Sequence, residues 1–477
     1  MHRRRAPRRP GPADDAARTG RTPRTRPRRH RPRPRPCPCP RPRPLIAVLA
    51  LLPLLLATAC AGGGAGTARA GEGRVRITFW SALRGSQQVV DAYNRSQRRV
   101  HVDFEQVPSG QQGGYAKLSN AARAGNAPDV ATIEYPQVPG FAIDGVARDL
   151  TPLLGERLRA RLLPQALALT TFEGRTFSVP LDVEPMVFLY RRDLFAAHHI
   201  AVPRTWAQFE RAAREVRRTA PGSRIATFPT DGGHHLAGLA WQAGARWFDT
   251  AGGTWSVSMT DRPTRKVAAY WQRLIDRGLV FLNPVDTQAG SAQIGRGEVF
   301  GKLTAAWDAG GMMAAQPGQQ GKWGVAPLPQ WDPDRPRLGV MGGSTFAVTK
   351  DSAHPRAAMD FIEWQVSSPD SLRARLSSGV SSQYPAVTDL VPVARKAMDT
   401  RYFAGQDIYA LFRREAGLIS RRWTWGPRMT ATLRTVQDGL ARAGDGDGTV
   451  WTALREGERA TMPDLEALGL DARRVVR

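Results

Sequence analysis

Cysteine is almost missing from this chain. Its 477 residues include only Cys37, Cys39 and Cys60, so everything after residue 60 is thiol-free. That excludes a disulfide framework, a thiolate metal site and a thiol nucleophile from the body of the protein. Membrane-length apolar runs are missing too: LIAVLALLPLLLA at 45–57 falls short of the ~18 residues that span a bilayer. Acids are scarce, 42 against 68 Lys and Arg, for a net charge of +26. Much of that excess is local. Residues 1–44 carry sixteen Arg against Asp14 and Asp15, or +14, which leaves +12 for all the rest. The alternation of Arg with Pro in that tract offers almost nothing to bury and forms no core. No later helix shows a dense basic stripe interleaved with exposed aromatics, so nucleic acid is not an expected partner.

Several chemical signatures are absent as well. There is no G-x-S-x-G elbow, no H-E-x-x-H zinc motif, no P-loop and no Rossmann glycine fingerprint. His198/His199 and His234/His235 are sequence neighbours whose side chains point apart, so neither pair alone makes a metal site. Asp445, Asp447 and Glu456 have partial calcium-loop spacing, but Val450 stands at the sixth place, where the turn needs Gly. A Gly/Asp turn between two helices explains that run better. No metal and no organic cofactor are expected.

What is present begins with an export signal. The short apolar run reads as a signal-peptide h-region, and Thr58, Ala59, Cys60, Ala61 and Gly62 follow it. This resembles the lipobox of bacterial lipoproteins, with Ala57 where Leu is usual and Leu56 one step further out. The resemblance makes Cys60 the lipid anchor on the outer face of the cell membrane. Residues 61–74 are rich in Gly and Ala without apolar periodicity, as a flexible tether is.

The body, 75–477, is long enough that two lobes are the default. Val75, Ile77 and Phe79 fall on one face of a strand, and Val100, Val102 and Phe104 on one face of another. Residues 115–124 predict a helix and 128–133 a third strand, a β-α-β-α-β succession that argues an α/β fold. A second such unit is expected from strand 187–190, helix 206–218 and strand 225–228. Beyond 355 the chain reads as mostly helical, with amphipathic runs at 354–366, 428–443 and 450–459.

Three segments carry a family resemblance. They are GRTFSVPLDVEPMVFLYRRDLFAAHHIAVPRTWAQF at 174–209, KLSNAARAGNAPDV at 117–130 and VMGGSTFAVTK at 340–350. With Phe79-Trp80 and Trp307, in this order, they resemble extracellular solute-binding family 1, the carbohydrate-binding subunits of ABC importers with a maltose-binding-protein-like fold. The resemblance implies a two-lobed periplasmic-binding-protein-like α/β fold with a hinge and an interlobe ligand cleft. The lobes would be 75–184 plus 344–380 and 185–343 plus 381–477. Crossovers are expected near 184–188 and 342–345. It also implies a membrane permease as partner and a monomeric, non-enzymatic receptor.

All thirteen Trp lie in the body. A sugar stacks its C–H face on a flat ring while its hydroxyls seek acids and amides. Trp206 and Trp364 read as packing residues. Trp80 ends the first strand, where ligands of open α/β sheets sit, and Trp307 stands where the family has a stacking Trp. Glu134 and Tyr135 follow the third strand, and Asp182 lies by the expected crossover; a carboxylate accepts from two adjacent hydroxyls. Tyr190, Trp241 and the backbone of Gly343 and Ser344 complete the candidate set. Two carboxylates about 5 Å apart would serve a retaining glycosidase, so an exported glycan-active hydrolase stays as an alternative, as does the same fold holding a non-sugar solute.

Overall fold

The computed structural model describes residues 73–284, 287–379 and 382–475. The Arg/Pro tract, the signal segment, Cys60 and nearly all of the expected tether lie outside them. The first sheet orders its strands Val100–Gln106, Val75–Ser81, Val130–Glu134, Ser344–Val348, Val179–Pro180. The first three are parallel, with Phe79 opposite both Phe104 and Val130. Ser344–Val348 runs antiparallel, pairing Ser344 with Glu134. The period-two pattern of the first strand buries Ile77 and Phe79 on one face. Helices Ser86–Ser96 and Pro355–Ser367 cover that face: Phe361 meets Phe79 at 5.4 Å and Tyr93 at 4.9 Å between ring centroids. Each such buried side chain contributes about 1.5–3 kcal/mol.

In the second sheet Met186–Arg191 is central, flanked on both sides by antiparallel strands Gly301–Ala305 and Trp323–Pro327. The expected strand 187–190, helix 206–218 and strand 225–228 appear as Met186–Arg191, Trp206–Thr219 and Thr227–Pro229, with the two strands in different sheets. Both edges of Met186–Arg191 are taken by segments more than a hundred residues downstream. Strand Thr227–Pro229 instead pairs in parallel with Phe281–Asn283 and reaches the central strands through a single Arg224–Val299 bridge. Met186, Val187, Phe188 and Leu189 are all fully buried, as in a strand covered on both faces.

Helix Trp206–Thr219 starts at a capping box in which Thr205 and Gln208 satisfy each other's backbone amides. It seats Trp206 among Phe209, Tyr270, Trp271 and Trp331, with its indole N–H donated to Gln242 Oε1 at 2.9 Å. Helices Met429–Gly444 and Val450–Ala467 pack closely where Gly439 faces Ala453. Asp445 and Asp447 lie in the turn between them, and Glu456 pairs with Arg442.

Three chain segments join the sheets and hydrogen-bond to one another. Residues 181–186 meet 339–341 through Met341 N–H to the Glu184 carbonyl, 3.2 Å, and the Pro185–Val340 bridge. On the other side they meet 384–386, through Val183 N–H to the Tyr384 carbonyl and Ala386 N–H to the Leu181 carbonyl, both 3.0 Å. This third segment was not read from the sequence. Its Ser382 reaches the second sheet, donating to the Ala306 carbonyl and accepting from Gly310 N–H. Gly343 has φ 101°, and a Cβ there would stand 2.6 Å from the Tyr135 ring, so only glycine fits.

Candidate functional site

The carboxyl end of Val130–Glu134 and the start of Ser344–Val348 lie on the same edge of the first sheet, beside the crossing segments. Glu134 is half-buried and accepts from the Tyr115 hydroxyl at 2.9 Å. Burial, then the Glu134 charge, hold the Tyr115 phenol well above its ordinary pKa. Tyr135 is buried and donates its hydroxyl to the Asp182 carbonyl at 2.6 Å. Asp182 Oδ1 accepts Ser344 N–H at 2.7 Å. Glu134 and Asp182 therefore flank Ser344, one as its cross-strand partner and the other as its acceptor. Burial raises the Asp182 carboxyl to about 7, against the opposing pull of the Ser344 amide and of Arg375.

Two residues further on, Glu184 is 1% exposed, with no side-chain partner for its carboxylate. Burial first, and the neighbouring Asp182 second, push its pKa well up; the nearby backbone amides of Tyr384 and Trp307 only soften the shift. Arg375 lies buried behind the pair, its guanidinium drawn down to about 10 by burial, with Asp182 acting the other way. It donates to Gln365 Oε1 at 3.2 Å.

A group of tryptophans lies near the crossing segments. Trp307, half-buried at the head of helix Asp308–Ala315, donates its indole N–H to the Met341 carbonyl at 3.1 Å. Trp241 and Trp423 stack at 5.1 Å with 6° between planes, and Trp425 meets Trp423 edge-on at 5.1 Å. The indole nitrogens of Trp423 and Trp425 are buried without an acceptor, which is costly unless a partner is supplied. His234 lies 6.4 Å from the Trp425 ring. Burial lowers its pKa against the pull of Glu134. Further out, Asp144 pairs with Arg428 at 2.8 Å and Thr430 donates to Gln137 at 2.7 Å.

Acids at the end of the first sheet, beside three crossing segments, and a nearby cluster of tryptophans agree with the comparison of the sequence with known families. The model for "Bacterial extracellular solute-binding protein" matches residues 81–370. The chain belongs to this family. Among other solute-binding proteins it is 23% identical over 299 residues to the arabinooligosaccharide-binding protein of Bacillus subtilis (strain 168), covering 60% of this chain and 68% of that one. It is 27% identical over 199 residues to the lactose-binding protein of Rhizobium radiobacter, covering 41% and 46%, so the match spans about half of that relative. The galacto-N-biose/lacto-N-biose I-binding protein of the ABC transporter from Bifidobacterium longum, solved with lacto-N-biose, superposes with a TM-score of 0.75 at 26% identity. That match covers 84% of this chain and 99% of the other. The two-lobed fold is thus shown by structure as well as by sequence.

The remaining candidates fall in different places in this solute-binding protein. Trp80 lies on the strand face opposite Phe79, packed toward Tyr115 and Leu118, and the Lys117 ammonium covers its ring at 4.3 Å from the centroid. Lys117 is in turn paired with Glu105. Tyr190 stands four residues along the strand from Met186, roughly 13 Å from the crossing segments at ~3.3 Å per residue. There it packs on Phe188 and Phe195. Strand direction puts it at the end of the strand far from the crossing segments. Trp241 is 1% exposed and backs Trp423, donating to the Ser420 carbonyl at 2.9 Å, so it supports the tryptophan cluster from behind. The Ser344 amide expected to serve a ligand is already taken by Asp182. Glu184, His234, Trp423 and Trp425 were not picked from the sequence. A signal existed for two of them: the two Trp of RRWTWGP at 421–427 stand in a turn-rich stretch ahead of a helix.

Proposed function

We propose that this solute-binding protein captures a carbohydrate between its lobes and delivers it to the permease of an ABC importer. The observation that carries this reading is the proximity of two groups: Glu134, Asp182 and Glu184 in one, and Trp307, Trp423 and Trp425 in the other. Carboxylates accept from neighbouring sugar hydroxyls, and indoles offer stacking faces and N–H donors. The sugar-binding relatives favour the same ligand class. Tyr135 is proposed to position the Asp182 segment, and Trp80 to line the rim beside Lys117. Residues 75–184 with 344–380 would move as one lobe and 185–343 with 381–477 as the other, a hinge closing on the ligand. The protein acts as a monomeric receptor without chemistry of its own, held outside the cell by lipidated Cys60.

A thermal-shift screen of the purified protein against mono-, di- and oligosaccharides, with peptides, polyamines and nucleotides as controls, tests this. A ligand at about 100 times its dissociation constant stabilises by about 2.7 kcal/mol. Stabilisation by a sugar that is recovered intact supports the receptor. Cleavage of the sugar, or stabilisation by peptides or polyamines alone, overturns it.

A further inference from the structure

The acids of the cleft outnumber the cations that can answer them. Three neighbouring chain segments each bring a polar group to one edge: the Glu134 carboxylate, the Ser344 amide and the Asp182 carboxylate, with Glu184 two residues beyond. Each nearby cation is engaged elsewhere or set back. Arg375 is buried behind Asp182 and bonded to Gln365; Lys117 is paired with Glu105; Arg428 is paired with Asp144. His234, facing Glu134, is held in its neutral form by burial.

We propose that the cleft selects by charge, taking neutral and amine-bearing sugars and rejecting uronic acids and sugar phosphates. The inference rests on the sugar-binding reading and names the ligand class within it. An anionic ligand would be brought against Glu134 and the Asp182–Glu184 pair in a place shielded from water, where like charges repel strongly. An ammonium would be attracted by the same groups. Burial favours the protonated form of both Asp182 and Glu184, so the repulsion is weaker at lower pH, where the pair carries less charge. The groups that set this balance are few: Glu134, Arg375 and the Ser344 amide around Asp182, and Asp182, Tyr135 and Tyr409 around Glu184. As pH rises and the pair ionises, discrimination against anions increases and affinity for amines grows.

The test starts from whichever neutral disaccharide binds among lactose, lacto-N-biose, β-1,6-galactobiose and diacetylchitobiose. Its primary hydroxyls are oxidised to carboxylates, and half of that product is converted to the methyl ester, which has the same bulk without the charge. Calorimetric titration at pH 7.5 is expected to show the free acid at least about 100-fold weaker than the parent sugar, and the ester recovering tenfold or more of the loss. In Glu134→Gln the ratio of ester to acid affinity is expected to shrink about tenfold. Should that variant fail to fold, the wild-type ratio measured at pH 5.0 and 8.0 serves instead, and is expected to be larger at pH 8.0. Equal binding of acid and ester at both pH values overturns the charge selection while leaving sugar binding standing. Failure of every neutral sugar to bind overturns the sugar-binding reading, and this inference with it.

Discussion

Replacing Asp182 by Asn should make the protein's stability less dependent on pH. The carboxyl is buried, and burial raises it from 3.8 to about 7. Its Oδ1 accepts the Ser344 amide, a bond that an asparagine oxygen can keep. For a carboxyl whose folded pKa is raised, the folded state holds the proton after the unfolded chain has released it. Stability is therefore full below pH ~4, falls as pH rises toward 7, and levels off above. A gap of about three units at 1.36 kcal/mol per unit sets an upper bound of roughly 4 kcal/mol across that window. Glu184 moves in the same direction and adds to the slope. Asp182→Asn should match wild type near pH 4 and exceed it by about 1–4 kcal/mol at pH 7.5. At roughly 2 °C per kcal/mol for a body of this size, scanning calorimetry at half-unit pH steps should show melting curves that diverge by several degrees between pH 4.5 and 7.5. Parallel curves, or an Asn variant less stable at every pH, would refute the argument that the carboxyl is strained by burial.

Three further substitutions separate packing from binding. Trp206→Ala empties a site walled by four aromatic rings and should cost about 3–5 kcal/mol in calorimetric stability while leaving sugar affinity unchanged. Trp307→Ala removes a half-buried ring and one indole–carbonyl bond, and should weaken sugar binding tenfold or more with little change in melting temperature. A large melting loss with unchanged affinity would make Trp307 a core residue. Arg428→Gln breaks an ion pair between the proposed lobes that is partly exposed on both sides, so closure loses at most about 1 kcal/mol. Affinity should fall no more than about fivefold, and 1 M salt should reproduce most of that loss in wild type. A salt-insensitive affinity would show the pair to be irrelevant to closure.

The first sheet was legible because its strands alternate cleanly, with Ile77 and Phe79 inward, and because its first three strands come in a local β-α-β-α-β succession. The fold class was legible in the ordered segments at 117–130, 174–209 and 340–350, which carry the family pattern that the comparisons show. The second sheet resisted because Met186–Arg191 is apolar on both faces, so periodicity gives no direction, and its partners are distant in sequence. Glu134 and Asp182 could be found from their position at strand ends. Glu184 was passed over although it shares the face of Asp182 two residues away, because a buried acid without a side-chain partner has no sequence mark. Trp423 and Trp425 were taken with a helical tail; only the stack of Trp423 on Trp241, distant in sequence, brings them into the tryptophan cluster.

The most direct test of the central claim is calorimetric titration of the purified protein with the sugar found by screening, in wild type, Trp425→Ala and Glu134→Gln. The account predicts saturable binding of one sugar per chain, weakened at least about tenfold by each substitution while both variants melt within a few degrees of wild type. Absence of saturable binding to any sugar, or an affinity untouched by both substitutions, would contradict it.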